Sequence, residues 1–129
     1  MMIGCPRGIY DEFNRIPIVR RGVTATPLRM AYQGNQEFLV DMACFPGSSG
    51  SPVFVFDRGS FIDRTGYHAG SSRLFFVGVL YSGPTVTNSG EIILNQQPSV
   101  NVSTMMHLGQ VIKSTEVLDI ERQVRDQLA

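Results

Sequence analysis

The sequence contains no tryptophan, two cysteines and two histidines, and its lysines and arginines balance its acids to a formal net charge of zero. Each shortage excludes something. Without a basic excess there is no electrostatic footprint for nucleic acid. Arg20-Arg21 is the only basic pair in the early part of the chain, and it is expected to be a solvated strand edge. No apolar run approaches the roughly 20 residues that span a bilayer, so no membrane association is expected. Met1–Gly8, MMIGCPRG, has neither the charged start nor the apolar stretch of an export signal. That absence and the low cysteine count lean towards the cytoplasm, although residues lost from the front would take any signal with them. Cys5 and Cys44 lack CxxC spacing and histidine neighbours, which argues against zinc. Two free, buried thiols are expected. No metal, nucleotide or other cofactor is implied, because carboxylate clusters and a Gly-loop followed by GK are both missing.

What is present is a globular composition, 43% apolar and 17% charged, in 129 residues: one domain with one core. Short apolar, β-branched runs recur at 1–5, 16–27, 37–43, 51–57, 73–83 and 101–112. Gly and Pro punctuate them at Pro6-Arg7-Gly8, Gln33-Gly34-Asn35, Pro46-Gly47 and Ser82-Gly83-Pro84. Six such runs predict a sandwich or closed barrel over 1–113. Residues 58–72 and 84–100 read as long polar loops, the second with EIIL as a short extra strand. Over 114–129 the period changes. Val117, Ile120, Val124 and Leu128 fall on one helical face behind Ser114, Thr115 and Glu116, predicting an amphipathic helix packed on the barrel.

Residues 45–55, FPGSSGSPVFV, carry the chemistry. Read as a plain loop, GSSGSP is only a turn. Read as an α/β-hydrolase elbow it fails twice: Ser51 stands where the second glycine belongs, and Pro52 leads into a strand instead of a helix. In a Gly-x-Ser-Gly-Ser-Pro order followed by a strand, the residues suit a nucleophile loop. Gly47 frees its peptide to aim N–H at a developing oxyanion. Ser49 supplies a second N–H and the attacking hydroxyl.

That loop resembles the nucleophile loop of trypsin-like serine peptidases, and other segments resemble the same family in order. IGCPRG (3–8), RRGVTAT (20–26), FLVDMACFPGSSGSPVF (38–54), FFVGVLYSG (75–83) and HLGQVI (107–112) are similar to the C-terminal half of bacterial members of the Deg type. Asp41 stands in the family's aspartate position ahead of the loop. The resemblance implies a six-stranded antiparallel Greek-key barrel closed by a C-terminal helix. It implies a polypeptide substrate, an acyl-enzyme on Ser49 and an oxyanion hole from Gly47 and Ser49. By the same resemblance Ala43 forms the floor of a specificity pocket whose walls are Cys44, Gly83 and Gly109. Tyr81, Ser82 and Gly83 would pair with substrate backbone. An alanine floor suits small to medium apolar side chains, and Ser48 replaces the aspartate that locks trypsin itself.

The family's base histidine and its aspartate precede the serine on a separate N-terminal barrel, whereas no histidine precedes Ser49 here. The chain is therefore expected to be half an enzyme: a fragment, a cleaved chain or a product of a late-set gene start. Without a base, only the roughly 10³–10⁴-fold assistance of an oxyanion hole and binding would remain, and the chain alone is expected to be inactive. His68 and His107 both follow the serine and are expected on the barrel rim. The missing barrel, or a second copy, is expected to cover an exposed face. The alternative is a non-catalytic barrel that binds peptides or proteins.

Overall fold

The computed structural model describes residues 1–91 and 99–128. Its strands are β1 (Met2–Gly4), β2 (Ile18–Arg20), β3 (Val23–Thr24), β4 (Glu37–Asp41), β5 (Pro52–Asp57), β6 (Ser60–Asp63), β7 (Gly66–Ala69), β8 (Arg73–Ser82), β9 (Thr85–Glu91), β10 (Ser99–Met105) and β11 (Leu108–Lys113), followed by helix α1 (Ser114–Leu128). Seven strands make one curled antiparallel sheet in the order β2-β1-β5-β8-β11-β4-β3, and β6–β7 and β9–β10 are separate two-stranded ribbons. Pro52 opens β5, where its missing N–H costs least.

The sheet holds seven strands and not six because the run at 16–27 divides at Arg21-Gly22. β2 pairs with β1, and β3 pairs with β4 at the far edge. Gly22 makes this passage possible: a Cβ there would sit 2.2 Å from the Asp41 carbonyl oxygen. The run at 101–112 also divides, between Met105 and Leu108, where His107 takes a left-handed φ of 59° and its carbonyl accepts from Met42 N–H.

The two expected loops are corrected. Residues 58–72 contain the β6–β7 hairpin, and much of 84–100 belongs to the β9–β10 ribbon. Alternating Thr and Val at 85–87 favour extended backbone, which outweighs the polarity that suggested a loop. Most of the EIIL segment lies outside the described residues.

One face of the curled sheet buries Met2, Phe38, Val40, Met42, Cys44, Val53, Leu80 and Val111. The alternation of β4 and β11 places every second residue inward, so Phe38, Val40, Gly109 and Val111 meet across the sheet. Helix α1 has the predicted bounds. It touches β8 and β11, yet none of its residues is buried, and Ile120 remains 60% exposed. Its ion pairs, Asp119–Arg122 and Glu121–Arg125, lie on solvated surface.

The β6–β7 hairpin is fastened by its own polar atoms. Asp63 Oδ1 accepts from Thr65 N–H and Thr65 Oγ1, and also meets His68 Nε2 at 3.1 Å. The Thr65 hydroxyl, then the Thr65 amide, then His68 hold the Asp63 carboxyl far below its usual range. A depressed folded pKa places the stabilisation above the unfolded value near 4, and it is lost as pH falls through the folded value. The hairpin is therefore expected to hold through mild acid and to loosen only below the ordinary carboxylate range. A pH titration following the Thr65 amide by NMR checks this. In Asp63→Asn, the acid transition should disappear.

Candidate active site around the serine loop

The loop between β4 and β5 consists of two consecutive turns that share Ser48. In the first, Ser48 N–H donates to the Phe45 carbonyl at 3.0 Å. Pro46 holds the second position and Gly47 the third, with φ of 83°, which is the type II pattern. In the second, Ser51 N–H donates to the Ser48 carbonyl at 3.1 Å, and Gly50 takes φ of 87° at the third position. The sequence FPGSSGS thus encodes both turns, each with glycine where L-residues are strained.

Each end of this loop is tied down. At the first turn the Pro46 carbonyl accepts from Arg7 N–H at 2.8 Å. At the second, Gly50 N–H donates to the Leu80 carbonyl at 2.7 Å, and Leu80 N–H returns a bond to Ser51 at 2.9 Å. The Pro46–Gly47 peptide is trans, so its N–H points away from the carbonyl that Arg7 holds. The Ser48–Ser49 peptide obeys the same geometry, with its carbonyl committed to Ser51. Neither the Gly47 nor the Ser49 N–H meets an acceptor among the described residues.

Ser49 is exposed, and its hydroxyl donates to the Tyr81 carbonyl at 2.9 Å. A backbone carbonyl cannot take that proton, so no base activates the hydroxyl here. His68 is engaged with Asp63, Thr65 and the Phe61 ring, while His107 stands edge-on to Phe45 with centroids 5.8 Å apart. Ser48 is buried, and its hydroxyl has no hydrogen-bond partner among the described residues. Among the described residues no group of three His, Cys, Asp or Glu side chains is placed to hold a metal ion, and no helix is long and apolar enough to cross a membrane.

The remaining candidates cluster around the loop to different degrees. Tyr81 and Ser82 end β8 beyond its last pairing with β5, Pro52 opposite Val79, so among the described residues no strand pairs with this stretch on the β5 side. Gly83 follows at half-buried depth. The Tyr81 phenol donates to Glu37 at 3.0 Å, and desolvation together with that carboxylate raises its pKa. Ala43 is half-buried, with its carbonyl bonded to Arg20 Nη1. Cys44 and Gly109 are brought together in the core: a Cβ on Gly109 would lie 2.6 Å from both Cys44 Sγ and Leu80 Cδ1. Burial pushes the Cys44 thiol pKa up, against a smaller opposing effect of Arg20, which marks a packing thiol and not a reactive one. Asp41 is exposed.

Two expectations are corrected. Cys5 is exposed, because it lies where β1 gives way to the 3₁₀ turn Pro6–Gly8. Arg20 is half-buried and is not a solvated edge, since it reaches under Ala43 and lies over the Phe45 ring. The tie between Arg7 and Pro46 escapes sequence reasoning altogether. Its signal, a Pro-Arg-Gly turn, says nothing about its partner. The chain matches no family model, no curated protein and no solved structure.

Proposed function

We propose that this chain is the nucleophile-bearing barrel of a trypsin-like serine endopeptidase, with Ser49 as the acyl-forming residue and the Gly47 and Ser49 amides as its oxyanion hole. The observation that carries the reading is the serine loop itself: an exposed hydroxyl flanked by two unpartnered N–H groups, beside the open end of a strand. Preorganised amides are what a tetrahedral intermediate requires, because donors already fixed in place need no reorganisation when charge develops. Tyr81, Ser82 and Gly83 offer backbone to an added peptide strand. On this reading Ala43 would floor a specificity pocket for small apolar side chains, while Cys44 and Gly109, the walls that the resemblance implies, are packed against each other in the core and support that floor from behind.

The strand order supports a six-stranded Greek-key barrel. β2 and β3 are separated only by Arg21 and Gly22, yet they occupy opposite edges of the sheet. Counted as one bent strand, they join the edges and close the sheet. Exposed Phe56, Leu74, Phe75 and Phe76 provide apolar surface of the sort a second barrel or a second copy would cover. The reaction needs a histidine base from such a partner. In the isolated chain the Ser49 proton stays on its own oxygen, and no peptide bond is cleaved.

One observation favours the second reading, a barrel that only binds peptides: the Ser49 hydroxyl is bonded to a carbonyl, with no histidine on it. Amide NMR separates the two. Titrating the chain with acetyl-Ala-Ala-Val carboxylate should shift the Gly47 and Ser49 amides together, and the peptide amide should shift them much less. Equal responses to both peptides favour the binder, and silence at both amides refutes the oxyanion hole. Hydrolysis of the matching thioester should be the same for the wild type and Ser49→Ala. Faster turnover by the wild type would contradict the inactivity of the lone chain.

A further inference from the structure

Beside the first turn of the serine loop lies a cavity of about 270 Å³ lined by Pro6, Arg7, Ile9, Arg20 and Phe45. Both guanidinium groups lie over the same ring, with Arg20 Cζ at 5.1 Å and Arg7 Cζ at 5.8 Å from the Phe45 centroid. Arg20 is anchored by its bond to the Ala43 carbonyl, which uses one of its five N–H donors. Arg7 has no hydrogen-bonding side-chain partner, and no carboxylate pairs with either arginine among the described residues. Two cations that line one cavity without an anion leave it with an uncompensated positive field, which favours an anionic occupant.

The backbone adds a second, independent observation. Arg7 sits at φ of 51°, in the left-handed region that a non-glycine residue adopts only under strain. The bond from Arg7 N–H to the Pro46 carbonyl maintains that conformation. The same turn that frees the Gly47 N–H therefore also positions Arg7 on the cavity.

We infer that Arg7, Arg20 and Phe45 form a receptor for a carboxylate carried on an apolar stem, and that its occupant is an acidic residue of the peptide substrate on the leaving-group side. The identity of the occupant rests on the endopeptidase reading. The serine loop is tied to β8 at Gly50 and Ser51 and to Arg7 at Pro46, so the two attachments lie at opposite ends of the loop. A peptide whose acyl half pairs with the end of β8 and whose carbonyl meets Gly47 runs onward towards Arg7. Ile9, Pro6 and the Phe45 ring meet the stem, and the planar guanidinium forks meet the carboxylate. Phosphate would satisfy the forks equally, but it has no use for the apolar walls.

The test uses the intact chain and three peptides: acetyl-Ala-Ala-Val-Leu-Glu-amide, its Gln counterpart as the amide, and the Gln counterpart as the free acid. Affinity is measured by calorimetry, and the Arg7, Phe45, Gly47 and Ser49 amides are followed by NMR. The Glu peptide should bind about 10-fold more tightly than the Gln amide, the usual advantage of a charge-assisted contact. That advantage should vanish in Arg7→Gln, whose fold is checked by its urea midpoint, and shrink in Arg20→Lys, which keeps the charge but loses the planar fork. The free acid separates a main-chain carboxylate from a side chain: binding weaker than that of the Glu peptide supports the acidic side chain, and binding equal to it overturns that occupant. Equal binding of the Glu and Gln amides, or an advantage that survives Arg7→Gln, overturns the receptor and leaves the endopeptidase reading intact. An Arg7-dependent advantage with the Gly47 and Ser49 amides unmoved keeps the receptor and removes the peptidase reading. Failure of all three peptides to bind at millimolar concentration overturns both.

Discussion

Gly78→Ala is expected to lower stability by roughly 3 kcal/mol or more, the upper end of the cost of overpacking a core. Gly78 lies inside β8, buried, opposite Lys113 on β11 and Val53 on β5. A Cβ there would lie 2.0 Å from the Ile112 carbonyl oxygen and 2.8 Å from Val111 Cγ1. The first neighbour is backbone and cannot rotate away, so β11 itself must move. The register shifts in both neighbouring strands, at Val53/Phe54 in β5 and at Gln110/Val111 in β11, and such irregularities bend a sheet locally. The missing side chain is thus what lets three strands converge over the core. Urea unfolding of the variant against the wild type checks the magnitude. A change below about 0.5 kcal/mol would mean that the strands are not so close.

Much of this architecture was legible from period and punctuation. The runs at 37–43, 51–57 and 73–83 alternate or are continuously apolar, and β4, β5 and β8 appear within them. The helix was legible from a change of period at Ser114, and its bounds follow. What the periodicity did not convey was where strands break. Arg21-Gly22 and Met106-His107 interrupt apolar runs because the Asp41 backbone crowds the one from elsewhere in the chain and the left-handed His107 bends the other, a conformation that its residue type does not announce. The β6–β7 ribbon and the strand β9 fall in stretches whose sequence suggests loops, because they carry polar and glycine residues.

The serine loop shows the same division. Pro46-Gly47 and Gly50 announce two turns, and the exposure of Ser49 follows from its place between them. The environment that makes the loop specific comes from elsewhere in the chain. Tyr81 receives the hydroxyl from 32 residues away, and Arg7 meets Pro46 from the start of the fold. Those long-range partners leave no pattern in a window of sequence. Arg20 is hidden for that reason: its place beside Arg21 suggests solvent, while its actual neighbours, Ala43 and Phe45, lie two strands further along.

Gly47→Ala and Gly50→Ala should differ, although the two glycines share almost the same φ, 83° and 87°. At Gly50 a Cβ meets nothing within 4 Å, so only the left-handed conformation is penalised, by about 1 kcal/mol. At Gly47 the same conformational cost is joined by a Cβ 2.8 Å from the Arg7 backbone nitrogen. Relieving that contact means stretching the Arg7–Pro46 bond or letting the first turn rotate, and the total should reach roughly 2–3 kcal/mol. Rotation of the Pro46–Gly47 peptide is the more informative outcome, because it would turn the Gly47 N–H away from its present direction while the Ser49 amide stays in place. Urea midpoints give the energetic difference between the variants. The Arg7 amide gives the structural one: it should lose hydrogen-exchange protection in Gly47→Ala and keep it in Gly50→Ala. Equal destabilisation with Arg7 protected in both would mean that the close approach to Arg7 contributes nothing, and the link between the serine loop and the arginine cavity would then have no mechanical basis.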